Sequence, residues 1–304
     1  MRDLENLGII RRSDSEWASP AHLVPKADGG QRVVGDFKEL NKMTDFDQYP
    51  LPRMEDIFDQ LHGKGCFSVL DLKRGYHQIP MAEEDIAKTA ISTPDGLYEY
   101  LRMPFGLVNA GKTFQRFMHQ VLQGMEGVHV YLDDILVATE SQEGHARRVI
   151  EVLQRLLDNG LVVKASKMQL AVDKVKFLGH LVEKGGIIVP QEKVDAINDF
   201  EKPKNVRMLR RFLGMINFYR KFIKNAGELL FPLTECLKGV KFNTELINWG
   251  EAQEECFRKA KETMKDLAKL RFPDPNLDVH LTTEVKWSGG AGGGRGEVPS
   301  RLLL

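Results

Sequence analysis

The stretch "HVYLDDILVAT", His129 to Thr139, sets two adjacent aspartates, Asp133 and Asp134, in the middle of an apolar run. No other feature of the chain restricts the fold as tightly, because neighbouring carboxylates repel each other and resist leaving water. The apolar residues flank the pair symmetrically, which predicts a β-hairpin with the aspartates at its turn. An isolated Asp-Asp pair reads equally as an ordinary Asp-rich turn. The isoleucines, leucines and valines on both sides weaken that plainer reading, since a bound divalent cation relieves both repulsion and desolvation. Hard cations such as Mg²⁺ take oxygen ligands and usually keep some positions for substrate phosphates, so a third carboxylate is expected from elsewhere.

The candidate is Asp71 in "SVLDLKRGYHQI", again an aspartate at the end of an apolar strand. Alone it reads as a strand-end or turn residue, and it gains weight only as a partner. Three carboxylates on neighbouring strands could hold two Mg²⁺ ions, or Mn²⁺ in their place, roughly 3.5–4 Å apart. One ion would activate a 3′-hydroxyl and the other would bind the triphosphate of an incoming nucleotide. The reaction class is in-line phosphoryl transfer.

The surroundings of these residues predict an α+β chain. A short helix precedes two apolar runs around Asp28-Gly29-Gly30, a hairpin signal with Lys26 and Arg32 on its two sides. Met54, Ile57, Phe58 and Leu61 have helical spacing, which Gly63 and Gly65 end. "CFSVLDLK" reads as a strand, "TPDGLYEYLRMPFGL" as a second hairpin, and Lys112 to Leu122 as a helix through Phe114, Phe117, Met118, Val121 and Leu122. A helix is expected from about Gln142 to Asp158, with Leu153, Leu156 and Leu157 on its face. Strands at Lys176–Val182 and Ile187–Val189 flank Gly185-Gly186, and Gln191 to Lys269 reads as helical throughout. The glycine-dense "GGAGGGRGEVPSRLLL" reads as a disordered end, with an RGG-like RNA-binding role as the remoter alternative.

Lysines plus arginines equal aspartates plus glutamates at 43 each, so a nucleic-acid role has to be read from where the charges sit. Cys66, Cys236 and Cys256 form no C-x-x-C pair and are odd in number, which argues against a disulfide framework or a zinc site. No apolar run approaches the roughly 20 residues of a bilayer span, and "MRDLENLGII" is unlike a signal peptide. The expectation is an intracellular protein with no membrane partner, cytoplasmic or nuclear.

An ordered series of short blocks then narrows the reading. Trp17-Ala18-Ser19-Pro20, Leu40-Asn41-Lys42, Tyr49-Pro50-Leu51-Pro52, Leu70-Asp71-Leu72-Lys73 and Gly75-Tyr76-His77-Gln78-Ile79 come first. Met103-Pro104-Phe105-Gly106-Leu107, Thr113-Phe114-Gln115-Arg116, Tyr131-Leu132-Asp133-Asp134-Ile135-Leu136 and Phe177-Leu178-Gly179-His180 follow. Together they resemble reverse transcriptases, and more narrowly the Pol polyprotein of gypsy-type long-terminal-repeat retrotransposons. "RRFLGMINFYRKFIKN" continues the likeness, which covers about Leu7 to Thr283. A lone Y-x-D-D motif would be weak; nine blocks in order are specific.

The resemblance implies a right-hand polymerase with fingers, a palm on an antiparallel sheet, and a helical thumb, extended by a helical segment and a disordered tail. Fingers are expected at residues 1–46, truncated at the N-terminus, and at 79–108. The palm is expected at 47–78 and at 109–185, the latter with the YLDD hairpin and primer grip. The thumb is expected at 186–240, a helical connector with the first ribonuclease H-like strand at 241–283, and an aberrant Gly-rich tail at 284–304. Asp71, Asp133 and Asp134 match the family's metal-binding and catalytic triad. Lys26 and Arg32 match residues that hold the triphosphate, Tyr76 the residue beneath the incoming sugar, and Phe105 and Gln115 the nucleotide pocket and its support. Phe177, Leu178, Gly179 and His180 match the primer grip. Each also has a plainer reading by itself: Tyr76 and Phe105 as core aromatics, Lys26 and Arg32 as solvated hairpin charges.

From Lys202 to Lys224 there are eight basic residues and no acidic one, interleaved with Phe212, Phe218, Tyr219 and Phe222. Leu209, Phe212, Leu213, Ile216, Tyr219 and Ile223 would form one helical face, leaving Arg210, Arg211, Lys221 and Lys224 outside it. Such a run is either a solvated face or a sequence-indifferent grip on a duplex backbone. The partners implied are a primed RNA or DNA template and deoxynucleoside triphosphates. Three departures stand against the family pattern: Gly111-Lys112 where proline and alanine are usual, a start that omits part of the fingers, and Glu284 where a ribonuclease H aspartate is expected. The first two leave open a catalytically silent relic that folds and binds nucleic acid. The third removes the expectation of ribonuclease H activity.

Overall fold

The computed structural model describes residues 1–25, 29–267 and 270–272. At its centre lies a four-stranded antiparallel sheet in the order Val128–Tyr131, Asp134–Thr139, Cys66–Asp71, Gln169–Val172. In Cys66–Asp71, Phe67 and Val69 point to one side, Ser68 and Leu70 to the other, and both sides are covered. That two-sided burial is why the strand reads as an unbroken apolar run. Helices Ala110–Val121 and His145–Asp158 cover one face, packing Phe114, Met118, Val152 and Leu156 with Leu70, Ile135 and Val137. The opposite face, Phe67, Val69, Leu136 and Ala138, packs in one core with Ile57 and Phe58 and with the C-terminal helices.

A buried hydrogen-bond chain ties this sheet to the second helix. The Ala171 amide donates to Ser68 Oγ at 2.9 Å, and Thr139 Oγ1 donates to the Ser141 carbonyl at 2.7 Å. Those two ends fix the middle: Ser68 donates to His145 Nε2 at 2.7 Å, and His145 Nδ1 donates to Thr139 Oγ1 at 2.7 Å. Burial lowers the His145 pKa, which keeps the imidazole in the neutral form that this chain requires.

On the N-terminal side a five-stranded sheet runs Ile10–Arg12, Gly96–Tyr100, Ile91–Thr93, Ser19–Pro25, Gln31–Gly35, with its single parallel pairing at Ser19–Ile91. Phe37, Ile91, Tyr98 and Tyr100 form its core. On the C-terminal side a third sheet, Lys174–Phe177, His180–Glu183, Gly186–Ile188 and Leu270–Arg271, packs with helices Gln191–Asn198, Val206–Phe218, Ala226–Glu235 and Glu251–Lys265.

The hairpins and helices expected from sequence are present, with differences that have local causes. Ile10–Arg12 is a strand that was too short to show a period. The segment read as one strand over Lys176–Val182 is two, because Leu178 and Gly179 take left-handed conformations and turn the chain back. Leu157 is 65% exposed; the buried face of its helix is His145, Val149, Val152 and Leu156. The stretch from Gln191 to Lys269 is not continuously helical. Asn205 caps a new helix by accepting from the Met208 amide, and residues 240–250 run without helix, bridging Leu246 to Asn205. The helix expected from Lys112 begins at Ala110. All three cysteines are free. Among the described residues no helix is long and apolar enough to cross a membrane. The tail and Glu284 lie outside the described residues.

Burial pulls the pKa of His77, His129 and His180 down to about 4. Unfolded imidazoles titrate near 6.5, so the unfolded chain takes up protons first as pH falls and stability drops from about pH 6.5 towards 4. Asp134, raised to about 6, works in the opposite direction below about pH 6 and offsets part of the loss. His129 and His180, both at least nine-tenths buried, each contribute on the order of 1–3 kcal/mol. The urea midpoint is expected to be lower at pH 5 than at pH 7, and His180→Phe to narrow the gap; equal midpoints at the two pH values would contradict this account.

Candidate active site

The hairpin of the opening stretch closes at the Tyr131–Asp134 pair, leaving Leu132 and Asp133 as its two-residue turn. Leu132 sits at φ 53°, a left-handed conformation that costs a non-glycine residue about 1 kcal/mol or more. Gln115 holds it there: the Leu132 amide donates to Gln115 Oε1 at 2.6 Å, and Gln115 Nε2 donates to the Val130 carbonyl at 3.0 Å. Asp71 ends the adjoining strand directly opposite Asp134. The three expected carboxylates therefore stand side by side at one end of the central sheet. Gly75 permits this packing, since a Cβ there would lie 3.2 Å from both Asp133 Cβ and the Phe114 ring.

Burial, and then the charges of Asp133 and Asp71, raise the Asp134 pKa to about 6; Lys167 works against them. Lys167 Nζ lies 2.8 Å from Asp71 Oδ2, and that bond raises the lysine's own pKa. An all-oxygen donor set with negative charge in excess of its one ammonium fits a hard divalent cation. Among the described residues, no three acidic, histidine or cysteine side chains, these aspartates included, converge closely enough to hold a metal ion, and Lys167 supplies the nearest counter-charge. Lys167 was not visible in the sequence reading, because a lysine in "KASKMQL" stands in no pattern that separates it from its neighbours.

Next to the carboxylates is an aromatic cluster. The Tyr76 ring lies 5.0 Å from Phe105 and 5.2 Å from Phe114, and the Arg32 guanidinium lies 4.2 Å over Phe105. Burial, then the charges of Asp133 and Tyr131, raise the Tyr76 pKa. Arg32, Phe105 and Tyr76 are thus brought together, whereas Lys26 lies outside the described residues. Gln115 is fully buried and its amide is taken up behind the hairpin. Lys112, at a position where the family resemblance was broken, donates to the Asp47 carbonyl at 2.5 Å and lies 3.6 Å over the Phe46 ring. Gly111 packs where a Cβ would be 3.5 Å from Tyr76 Oη.

Phe177 and His180 pair across a second two-residue turn, in which Leu178 and Gly179 have φ of 46° and 76°. Two positive φ values match the strand twist of a tight hairpin. Tyr219 Oη donates to the Gly179 carbonyl at 3.0 Å, and the Phe218 ring would lie 3.1 Å from a Cβ on Gly179. His180 is buried among Phe58, Phe218, Tyr219 and Phe222, its Nδ1 donating to the Leu178 carbonyl at 2.9 Å. Leu209, Phe212, Leu213, Ile216, Tyr219 and Ile223 are buried. The cations expected outside that face are exposed but turn to different neighbours. Arg210 bonds Asn243 at 2.6 Å, Arg211 lies 5.8 Å over Phe200, and Lys221 lies 4.9 Å over Phe58; Lys224 is also exposed.

Residues 24–182 match the family model described as reverse transcriptase (RNA-dependent DNA polymerase). The chain belongs to the reverse transcriptase family. It is 40% identical over 293 residues to the retrovirus-related Pol polyprotein from transposon 297 of Drosophila melanogaster, covering 94% of this chain and 27% of that one. The corresponding polyprotein from transposon gypsy is 36% identical over 298 residues, covering 93% and 29%. The transposon Tf2-3 polyprotein of Schizosaccharomyces pombe is 35% identical over 281 residues, covering 91% and 21%. This chain therefore spans less than a third of those relatives. Among solved structures, the foamy viral protease-reverse transcriptase in complex with dsDNA matches with TM-score 0.83 at 26% identity, over 90% of this chain and 57% of that one. The same viral protein with an RNA/DNA hybrid gives 0.82 at 26% identity, over 89% and 36%. The fold is the α+β right-hand polymerase fold of this family.

Because Asp133 adds to the charge that Asp134 must bear, this reverse transcriptase fold carries a local electrostatic cost at its turn. Asp133→Asn is expected to raise the melting temperature in chelator by about 2–4 °C. A differential scanning measurement that shows an unchanged or lower value would mean that repulsion at the turn is not felt by the fold.

Proposed function

We propose that this chain is an RNA-directed DNA polymerase that adds deoxynucleotides to a primer 3′-end by two-metal phosphoryl transfer. The observation that carries the reading is the register of the palm sheet, which sets Asp71 opposite Asp134 with Asp133 in the adjoining turn. Asp71, Asp133 and Asp134 would hold the cations. When bound, Mg²⁺ would lower the pKa of the primer 3′-hydroxyl and neutralise the charge of the triphosphate.

The chain's own residues supply positioning. Arg32, held on Phe105, offers a planar fork to the triphosphate. Tyr76, fixed between Phe105 and Phe114, presents a ring beneath the sugar that leaves no room for a 2′-hydroxyl. The Leu178-Gly179 turn, braced by Tyr219, would hold the primer end. The foamy viral neighbours were solved with dsDNA and with an RNA/DNA hybrid, and a primed duplex of either kind is the partner we infer here. On this reading the fingers comprise residues 1–46 and 79–108, the palm 47–78 and 109–185, and the thumb 186–240.

One observation favours a second reading, a silent relic that binds nucleic acid without extending it: Lys167 already neutralises Asp71. Primer extension decides between them. With a primed RNA template, deoxynucleotides and Mg²⁺, the purified chain is expected to extend and the Asp133→Asn/Asp134→Asn variant not to. Binding of the duplex without extension by the folded wild-type chain would establish the relic instead. Tyr76→Val is expected to raise incorporation of ribonucleotides relative to deoxynucleotides roughly 10- to 100-fold; an unchanged ratio would remove Tyr76 from sugar selection.

A further inference from the structure

The hydrogen bonds behind the palm hairpin run further back than Gln115. Two backbone groups fix the orientation of its amide: the Leu132 amide can only donate to Oε1, and the Val130 carbonyl can only accept from Nε2. The same Nε2 lies 2.8 Å from His119 Nε2, one helical turn along. A donor facing that ring nitrogen requires it to be unprotonated, so the proton of the neutral imidazole sits on Nδ1. His119 Nδ1 lies 2.7 Å from Tyr49 Oη and donates to it. Burial lowers the His119 pKa, in keeping with the neutral ring. Tyr49 is itself anchored: its amide donates to Asp47 Oδ1 at 2.9 Å, and the Arg116 guanidinium lies 4.8 Å over its ring while pairing with Asp47.

The geometry points to His119 as a positioning residue for the reaction, acting with Tyr49 to hold Gln115 in the one orientation that braces the Leu132-Asp133 turn. This rests on the polymerase reading for its effect on rate, but the brace itself is a property of the fold. Leu132 is in a strained conformation and has Asp133 as its next residue, so loss of the brace lets the carboxylate drift. The drift affects the chemical step and leaves duplex binding intact, because His119 and Tyr49 face the back of the hairpin.

The test compares His119→Phe, His119→Gln and Tyr49→Phe with the wild type in two measurements. One is the kcat and KM of primer extension; the other is hydrogen exchange at the Leu132 amide. In His119→Phe, which keeps a ring and loses the acceptor, kcat is expected to fall about 10- to 100-fold with duplex affinity unchanged. The Leu132 amide is expected to exchange faster. His119→Gln, whose side-chain oxygen can accept from Gln115, restores most of both, and Tyr49→Phe, which removes one oxygen, moves both in the same direction by less. Wild-type kcat and wild-type Leu132 exchange in both His119→Phe and Tyr49→Phe would overturn the proposal. So would failure of His119→Gln to recover either reading while its melting temperature matches the wild type. If the wild-type chain extends no primer, the polymerase reading fails and Leu132 exchange alone decides the brace.

Discussion

Three carboxylates confined to one end of a sheet repel one another, and the surrounding structure is arranged to hold them there against that repulsion. The central strand Cys66–Asp71 is covered on both faces, so Asp71 cannot swing away without disturbing a core on each side. A one-residue slip would exchange its two faces and move Asp71 out of register with Asp134. Gly75 and Phe114 close in beneath the turn, and Gln115 ties its backbone from behind. Rigid support of an intrinsically unfavourable charge cluster keeps its carboxylates preorganised.

The same economy recurs at the Leu178-Gly179 turn. Both turns have two residues, both use left-handed backbone, and each is gripped by side chains from a separate helical segment. Gln115 reaches the first from the helix Ala110–Val121, and Tyr219 and Phe218 reach the second from the end of Val206–Phe218. Helices thus set where the sheet's turns project. The C-terminal helices share one continuous apolar core with the central sheet, through Phe58, Leu209, Phe212 and Ile216.

Much of this was legible from the chain itself. The paired aspartates announced a turn, Asp71 announced its partner, and the alternation of apolar runs with Gly-rich pairs located most hairpins. What was not legible depends on contacts between distant segments. Leu157 has the same composition and spacing as its buried neighbours, and only the position of the sheet decides that Leu156 turns inward and Leu157 outward. Periodicity missed the Leu178-Gly179 turn inside its apolar run, and only the resemblance of Phe177 to His180 to a family hairpin pointed to it. Lys167 and His119 were equally silent, one a lysine among lysines, the other a histidine on a helix face. The basic run placed Arg210, Arg211 and Lys221 outside the apolar face, where they are exposed, but gave no sign of their neighbours Asn243, Phe200 and Phe58.

The pairing of the central strand also bears on how the protein is made. Cys66–Asp71 finds its partners between about 60 and about 105 residues downstream, on both of its edges. Such closures are slow relative to local hairpins, and a chain emerging from the ribosome cannot begin the second before Gln169 is available. The pairing of Ser19–Pro25 with Gln31–Gly35 needs no such wait. Synthesis therefore leaves an interval in which the apolar strand Cys66–Asp71 exists with one edge unpaired, and a nascent chain interrupted in that interval has only part of its central sheet.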